Sequence, residues 1–471
     1  MRFGTSRGKW VIAAAVLGSA VAFLDGSVVN VAIPTLRNAL HMNVAELQWT
    51  LDSYLVTLTA LLLIGGSLGD IAGRRRVFVL GLISFAAASM ICGLAPDAMT
   101  MIVARATQGA AAAFLVPGSL AIISATFHED DRARAIGAWS GLAGAASAVG
   151  PFVGGFLIDA VSWRLIFFIN VPLVVVAVLI TLRHVPESKD DEAQPLDWPG
   201  AITVTIALAA SSFALIERRE AIPAGAVAIV AFIIFIAIER TSHTPMLPLS
   251  MFSSGQFTGA NIVTFAVYAG LGGTFFLFVL QLQMRLGYSA IEAGTALTPV
   301  TVLLMLLSAR AGALAQRIGP RIPMTVGPLV AAAGLVLFAR IRPGSTYVGT
   351  VLPAVIIFGA GLVLTVAPLT AAVLAAVDDR HVGIASGINN AAARLGGLIA
   401  VAALPALASI DTSHPATLAN GFPRAMYLCA GACAIGGVIA LATIRKAAKI
   451  RVTVQPSLVH PCNDASLRHA A

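Results

Sequence analysis

A few ionisable residues lie inside long apolar segments of this 471-residue chain, and Asp25, Asp52 and Arg105 lead them. A charge inside an apolar helix is costly unless it faces protein or water, so each is a candidate functional residue. A carboxyl group in a low-dielectric cavity holds its proton until a nearby cation or altered solvation displaces it. A neighbouring arginine adjusts that balance. These residue types predict a site that binds and releases protons.

The segments that hold these residues predict a membrane protein. Only 11% of the residues are charged and 58% are hydrophobic, with a mean hydropathy of +0.89, whereas a soluble domain has about 25% charged residues. Apolar stretches recur that are long enough to cross roughly 30 Å of hydrocarbon as helices. The alternating pattern of a membrane β-barrel does not occur. The sequence therefore predicts an all-α polytopic membrane protein and excludes soluble classes.

Charges, Pro/Gly clusters and polar runs divide the chain into 14 predicted spans. They lie near residues 10–33, 49–69, 77–95, 99–123, 134–159, 165–182, 199–216, 223–239, 256–281, 290–309, 322–340, 349–376, 383–408 and 424–444. An even number puts both termini on one side, where the connecting segments hold 20 Lys and Arg residues against 8 on the other side. Basic residues concentrate in cytoplasmic loops, so we predict a cytoplasmic (inner) membrane protein with both termini in the cytoplasm.

On this topology the leading ionisable residues lie in the outer half of the bundle. Asp25 lies about 24 Å along the first helix from Lys9, and Arg105 lies about 9 Å inside the outer end of the fourth span. Asp52 is predicted three residues inside the outer end of the second span. We predict proton coupling by Asp25, Asp52 and Arg105. The alternative interpretations are a buried structural acid, an interfacial polar residue and a structural arginine.

The longest polar stretch between spans separates the first six helices from the rest. It predicts five parts: an N-terminal six-helix bundle (1–184), a cytoplasmic linker (185–198), two inserted transmembrane helices (199–240), a C-terminal six-helix bundle (241–444), and a basic, disordered cytoplasmic tail (445–471).

Between the second and third spans the chain reads GSLGDIAGRRR from Gly66 to Arg76. Glycines permit a tight turn, and an acid there can accept hydrogen bonds from helix amides or from an arginine. A positive-inside loop explains the arginines but not the glycines or the acid. The pattern predicts a conformational latch formed by Gly66, Asp70, Gly73, Arg74 and Arg75.

A second copy of this loop, Gly312–Arg321, has Gln316 in place of the acid and indicates an internal repeat of two halves. The first copy resembles the loop G-x-L-x-D-x-x-G-R-R of the major facilitator superfamily. Leu24–Pro34, Trp163–Pro172 and Leu196–Gly200 resemble markers of its 14-span drug:proton antiporter branch. The resemblance implies two six-helix bundles, two inserted helices and alternating access to a central cavity.

The fifth span has a face of small residues and reads Gly-Pro-x-x-Gly-Gly from Gly150 to Gly155. Small residues permit close helix approach, and the proline removes a backbone hydrogen bond. Close packing alone is one interpretation. The run also resembles the superfamily's antiporter motif, which implies a bending and sealing role for Gly144, Gly150, Pro151, Gly154 and Gly155.

Polar and aromatic residues in the spans are candidates for the wall of a substrate site, although aromatic residues in apolar helices usually serve packing. The candidates are Asn30, Tyr54, Gln108, Phe265 and Tyr268. Gln108 also shares a helix face with Arg105 in a run that resembles the superfamily motif R-x-x-Q-G. Arg394 in span 13 is interpreted as a buried, hydrogen-bonded arginine on a packing face.

The sequence and its resemblance together predict a secondary active transporter that exports amphipathic or cationic drugs in exchange for protons. Export of an endogenous metabolite or lipid-like compound is the alternative. A membrane enzyme or a sensor is disfavoured, because the eight histidines are scattered and both coupling acids are present. We predict a monomer whose partners are a small amphipathic substrate, protons and membrane lipids.

No cofactor or metal is predicted, and the proton gradient is the expected energy source. The sequence lacks a phosphate-binding loop of the form G-x-x-x-x-G-K-[ST] for ATP. Three of its four cysteines lie in apolar spans, where they are interpreted as packed thiols. The net charge of +8 arises in loops and not in a patch for nucleic acid.

Overall fold

The computed structural model describes residues 2–189, 195–377, 382–410 and 415–444, which form helices without a strand. The predicted tail and residues 190–194 of the predicted linker lie outside the described residues. The α-helices are α1 (Ser6–Ala39), α2 (Val44–Ala72), α3 (Arg74–Leu94), α4 (Ala98–Ala112), α5 (Leu115–Thr126), α6 (Glu129–Ala160), α7 (Leu165–Phe168), α8 (Asn170–His184), α9 (Trp198–Ile216), α10 (Ala221–Thr241), α11 (Gly255–Leu286), α12 (Ala290–Thr295), α13 (Thr298–Ile318), α14 (Arg321–Phe338), α15 (Leu352–Leu374), α16 (Val382–Leu407) and α17 (Pro415–Thr443). Short 3₁₀ or π-helical turns cover Arg218–Glu220, Leu249–Ser253 and Tyr347–Val351.

Among the described residues, 12 helical segments are long and apolar enough to cross a membrane, and the bent helix α2 makes a thirteenth. Several crossings are interrupted where the sequence predicts continuous helices. The crossing Ala98–Thr126 breaks between α4 and α5. Pro117 has no N–H to donate to the carbonyl of Ala113, four residues earlier, which favours a break at this point.

Helix α2 begins earlier than the sequence predicts, because a capping box fixes its first turn. The Asn43 side chain accepts a hydrogen bond from the Glu46 N–H at 2.9 Å, and the Glu46 carboxylate accepts one from the Asn43 N–H at 2.8 Å. Asp52 thus lies about 12 Å from the start of the helix at Val44. The predicted span begins three residues before Asp52, whereas the helix itself begins at Val44.

Helices pack mainly within the first part of the chain, α1 to α8, and within the last part, α11 to α17, which we call the first and second halves. In the first half α1 packs against α5, α6 and α8, and α4 packs against α2 and α3. In the second half α11 packs against α16 and α17, and α14 packs against α15 and α17. Helices α9 and α10 pack against each other, and α9 also contacts α2 and α16.

The two halves are joined by hydrogen bonds at one end of the bundle. We call the end at which α1 begins the near end and the opposite end the far end. The Gln48 side chain, in the first turns of α2, donates to the carbonyls of Val401 and Ala402 in α16 at 2.9 and 3.0 Å. Gln283 of α11 donates to the carbonyl of Val31 in α1 at 3.0 Å. These contacts close the far end.

Helix α6 also meets the second half at the far end. Its Asp159 carboxylate accepts hydrogen bonds from the N–H groups of Ala290 and Ile291 at the start of α12, at 3.3 and 2.9 Å. One turn earlier, Gly155 packs against the backbone of Ile291, and Gly294 packs against the backbone of Pro151. The absence of side chains at both glycines permits this close approach.

Candidate proton and substrate site

The centre of the first half contains a buried ion pair between two sequence-predicted residues. Arg105 of α4 donates from Nη1 to Oδ2 of Asp25 in α1 at 2.5 Å. The two side chains are 1% and 0% exposed. Because each charge compensates the other, this pair can remain in a region that excludes water.

Amide and hydroxyl side chains complete the hydrogen bonding of this pair. Gln108 donates to Oδ1 of Asp25 at 2.9 Å and to the Ser89 hydroxyl at 2.7 Å, and its carbonyl oxygen accepts from Arg105 at 2.6 Å. Asn170 of α8 donates to the same Asp25 oxygen at 3.1 Å. Helices α4 and α8 therefore donate to the Asp25 carboxylate of α1, and α3 joins the network through Ser89.

Sequence reasoning found part of this network. Gln108 can be identified from the sequence because it shares a helix face with Arg105. Asn170 lies in a segment that resembles a family marker, but the sequence does not predict a role for its side chain. Ser89 is missed, since a serine in an apolar helix has no local signal. It accepts hydrogen bonds from Gln108 and from Asn170, the latter at 3.2 Å.

Tyr54 of α2 belongs to the ion-pair network and is only 2% exposed. Its ring stacks under the Arg105 guanidinium, which lies 4.2 Å from the ring centroid. Its hydroxyl donates to the Ala22 carbonyl at 3.4 Å. Arg105 also donates from Nε to the carbonyl of Thr50 at 3.2 Å. In this conformation Tyr54 therefore supports the ion pair.

Asp52 lies in different surroundings. It is 0% exposed, and within the part of the chain that the structure describes neither carboxylate oxygen has a hydrogen-bond partner. Gln48, Asp52, Val56 and Ala60 follow one another at steps of four along one face of α2. Gln48 bonds to α16, and Val56 and Ala60 cluster with Leu398 of α16. Asp52 therefore lies on the face of α2 that meets the second half.

The candidate substrate residues are divided between the halves. Asn30 is half-buried in α1, and its side chain donates to the Gly26 carbonyl at 2.9 Å. Phe265 and Tyr268 are half-buried in α11. These three residues are not joined to the Asp25 network by hydrogen bonds among the described residues.

Residues of α11 and α16 form a polar cluster that the sequence did not single out. Asn389 donates to Asn261 at 3.2 Å and to the Thr264 hydroxyl at 2.6 Å. Arg394, five residues later in the same helix, differs from its predicted description. It is half-buried, and no hydrogen bond to its side chain is found among the described residues.

The residues of the predicted latch lie at the near end, between α2 and α3. Arg74 pairs with Asp70 at 2.7 Å, and the N–H of Arg75 donates to Glu187 at 3.0 Å. Gly73 has a φ of 106°, a backbone conformation that favours glycine. Glu187 follows α8, and the sequence does not predict its role, because no local pattern links it to Arg75, 112 residues away. Within the described chain these contacts stay in the first half.

The small residues of α6 pack on two partners. Gly150 lies against Leu24 and Ser27 of α1, and Gly154 lies against Val28. Gly66 of the latch packs less closely, since a Cβ atom there would lie in ordinary van der Waals contact with Pro117 at 3.7 Å. Gly144 lies within α6, but its surroundings lie outside the described side chains. The described residues of the antiporter motif therefore pack α6 against α1 on one side and against α12 at the far end on the other.

The sequence matches a known protein family and several named relatives. The family model described as Major Facilitator Superfamily matches residues 15–401. The chain is 34% identical over 408 residues to the Methylenomycin A resistance protein of Bacillus subtilis (strain 168), which covers 84% of this chain and 87% of the relative. It is 33% identical over 432 residues to the drug efflux pump JefA of Mycobacterium tuberculosis (strain ATCC 25618 / H37Rv), covering 89% and 84%.

The fold is also similar to that of solved structures. The crystal structure of an auto-inhibited POT family peptide transporter matches with a TM-score of 0.71 and 16% sequence identity, over 95% of this chain and 99% of that chain. At this identity the match establishes the fold alone.

Proposed function

Because this chain belongs to the major facilitator superfamily, we propose that it exports amphipathic drugs across the cytoplasmic membrane in exchange for protons. Relatives that bear the names of drug resistance and drug efflux proteins support a drug-exporting transporter and not an enzyme. The exchange for protons rests on the contrast between the unpartnered acid Asp52 and the paired acid Asp25.

The proposed topology has 14 spans, with the near end in the cytoplasm. Adding the bent helix α2 and the 32-residue helix α6 to the 12 apolar helical segments gives this number. At 1.5 Å per residue α6 is about 48 Å long, which is sufficient to cross a bilayer. The excess of basic residues in the near-end loops supports this orientation. The far end then faces outward and is closed, so substrate enters from the cytoplasm.

Asp52 is the residue we assign to carry the proton. Burying an ionised carboxylate without a partner is very costly, whereas the neutral carboxyl group is far easier to bury. Asp52 is therefore expected to carry a proton while α2 packs against α16. When the far end opens, this face of α2 separates from the second half and Asp52 meets external water, where it can exchange a proton.

This arrangement links protonation to the direction in which the cavity opens. A proton taken from outside permits the far end to close over Asp52. Release of that proton to the cytoplasm leaves a charge that disfavours closure, so the protein returns to the outward-open state with its substrate. A proton entering the cell gains about 2.3 kcal/mol per 100 mV of membrane potential, which supplies driving force. Asp25 remains paired with Arg105 and holds the helices of the first half together.

The observation that carries the proposal is the burial of both Asp52 oxygens at the interface between the halves, with no hydrogen-bond partner in the described part of the chain. Transport of an amphipathic dye into inside-out vesicles tests it. An imposed proton gradient should drive accumulation, and a protonophore should abolish it. Accumulation that persists with the protonophore present would exclude proton exchange.

A further inference from the structure

Arg394 introduces a charge near the middle of the second half. It lies 12 residues after Val382 and 13 before Leu407, so it is about 18 Å from the near end of α16. Ser386, Asn390 and Arg394 follow at steps of four on one face of the helix. Asn390 is exposed, and Ser386 and Arg394 are half-buried. A polar, partly exposed face at this depth indicates a water-accessible cleft and not contact with lipid.

The charges around this cleft do not cancel. Asp25 and Arg105 neutralise each other at 2.5 Å. Asp52 is buried with no partner among the residues that the structure describes, and it is expected to be neutral while the far end is closed. In the described residues no carboxylate lies within ion-pair distance of Arg394. Of these charged groups, Arg394 is therefore the one that keeps a positive charge without an ion-pair partner among the described residues.

Arg394 lies near the boundary between the halves, because the next residue, Leu395, packs against Val56 and Ala60 of α2. Gly396, two residues after Arg394, packs against the α11 backbone at Phe265 and Ala269. The half-buried residues Phe265 and Tyr268 therefore belong to the part of α11 that adjoins this part of α16. An apolar aromatic body with an anionic group fits a guanidinium in a region that contains aromatic residues.

We propose that Arg394 binds the substrate directly and that the exported drugs are amphipathic compounds bearing a carboxylate. This inference rests on the proposed export function and refines its substrate class. The guanidinium donates two parallel hydrogen bonds to a carboxylate, whereas a cationic compound is repelled by it. A cationic substrate, which the sequence analysis also includes, would meet Asp52 as the unpaired carboxyl group, and Asp52 is expected to be neutral while the far end is closed.

Binding of three matched probes to the purified full-length protein in nanodiscs tests this assignment. The probes are 1-pyrenebutyrate, its methyl ester and a pyrenylbutyl-trimethylammonium cation, which share one aromatic body and differ in charge. Hydrogen bonds to a charged group predict that the acid binds at least about tenfold more tightly than the ester. The cation should bind most weakly. Tightest binding by the cation would overturn the proposal.

Substitutions at Arg394 separate recognition from folding. Arg394→Gln should bind acid and ester equally, and Arg394→Lys should keep part of the preference for the acid. Arg342→Gln removes the same charge from an exposed loop position and should change nothing. Thermal unfolding of each variant identifies loss of fold. An Arg394→Gln protein that folds and still prefers the acid would contradict the proposal.

The same measurement distinguishes this inference from the proposed function, because it needs no proton gradient. A preference for the acid that depends on Arg394 would support the assignment even if vesicle transport proved insensitive to protonophore. Proton-driven transport with equal binding of all three probes would leave proton exchange intact and overturn the role of Arg394.

Discussion

Asp25 and Asp52 are both fully buried acids of the first half, but their environments are opposite. Asp25 receives hydrogen bonds from Arg105, Gln108 and Asn170, whereas both oxygens of Asp52 lack a partner among the described residues. A compensated carboxylate can keep its charge in an apolar interior, and an uncompensated one is forced toward the neutral form. Burial alone therefore does not identify a coupling residue; its hydrogen-bond partners do.

The two acids also differ in where they lie relative to the interface between the halves. Asp25 lies among helices of one half, so its contacts can persist as the halves rock against each other. Asp52 lies on the α2 face that meets α16, where rocking changes its surroundings. One acid is suited to holding a bundle together and the other to sensing which end is open.

The largest effect is expected when Asp25 loses its charge. Asp25→Asn leaves Arg105 buried without a counter-ion, which should lower the free energy of unfolding by about 3–5 kcal/mol. Thermal unfolding in detergent measures this loss. The double variant Asp25→Asn/Arg105→Gln should lose less than the sum of the single variants, because neither charge is left alone. Equal stability of Asp25→Asn and the wild type would remove the distinction between the two acids.

Opening the far end should change the surroundings of Asp52 and leave the hydrogen bonds of Asp25 intact. In Gly294→Ala the added methyl group collides with the Pro151 backbone across the closed interface. Overpacking of this kind costs about 1–3 kcal/mol and should favour the outward-open state. Distances between spin labels at the far ends of α1 and α11 would report the shift. Gly431→Ala, whose methyl group meets open space, is the matched control.

A smaller shift in the same direction is expected from Asp159→Asn. The variant weakens the hydrogen bonds to Ala290 and Ile291 by removing the charge of their acceptor. The closed far end should lose about 0.5–1.5 kcal/mol. The same spin-label distances should show a broader distribution. A distribution identical to that of the wild type would mean that this contact does not help to close the far end.

The sequence reveals the paired acid more completely than the unpaired one. Arg105 and Gln108 share a helix face, and their spacing and family resemblance lead to the Asp25 site. Ser89 contributes through a long-range contact that no local pattern records. That Asp52 lacks a hydrogen-bond partner among the described residues also depends on packing, because the residues next to it in the sequence do not show which groups surround it in the fold.

The same limit applies to helix ends and loops. The periodicity of apolar residues predicts where helices cross the membrane, but the capping box at Asn43 and Glu46 moves the start of α2 and thus the depth of Asp52. Glu187 joins the latch loop from a distant segment. In each case the missing information is a contact between segments and not a local preference.

The most direct test of the account compares two transport modes of Asp52→Asn in proteoliposomes. The substitution keeps the shape of the side chain and prevents it from releasing a proton, and stability should change by no more than about 1 kcal/mol. Exchange of labelled for unlabelled drug should persist, whereas accumulation driven by a proton gradient should disappear. Accumulation equal to that of the wild type would contradict the assignment of Asp52 as the proton carrier.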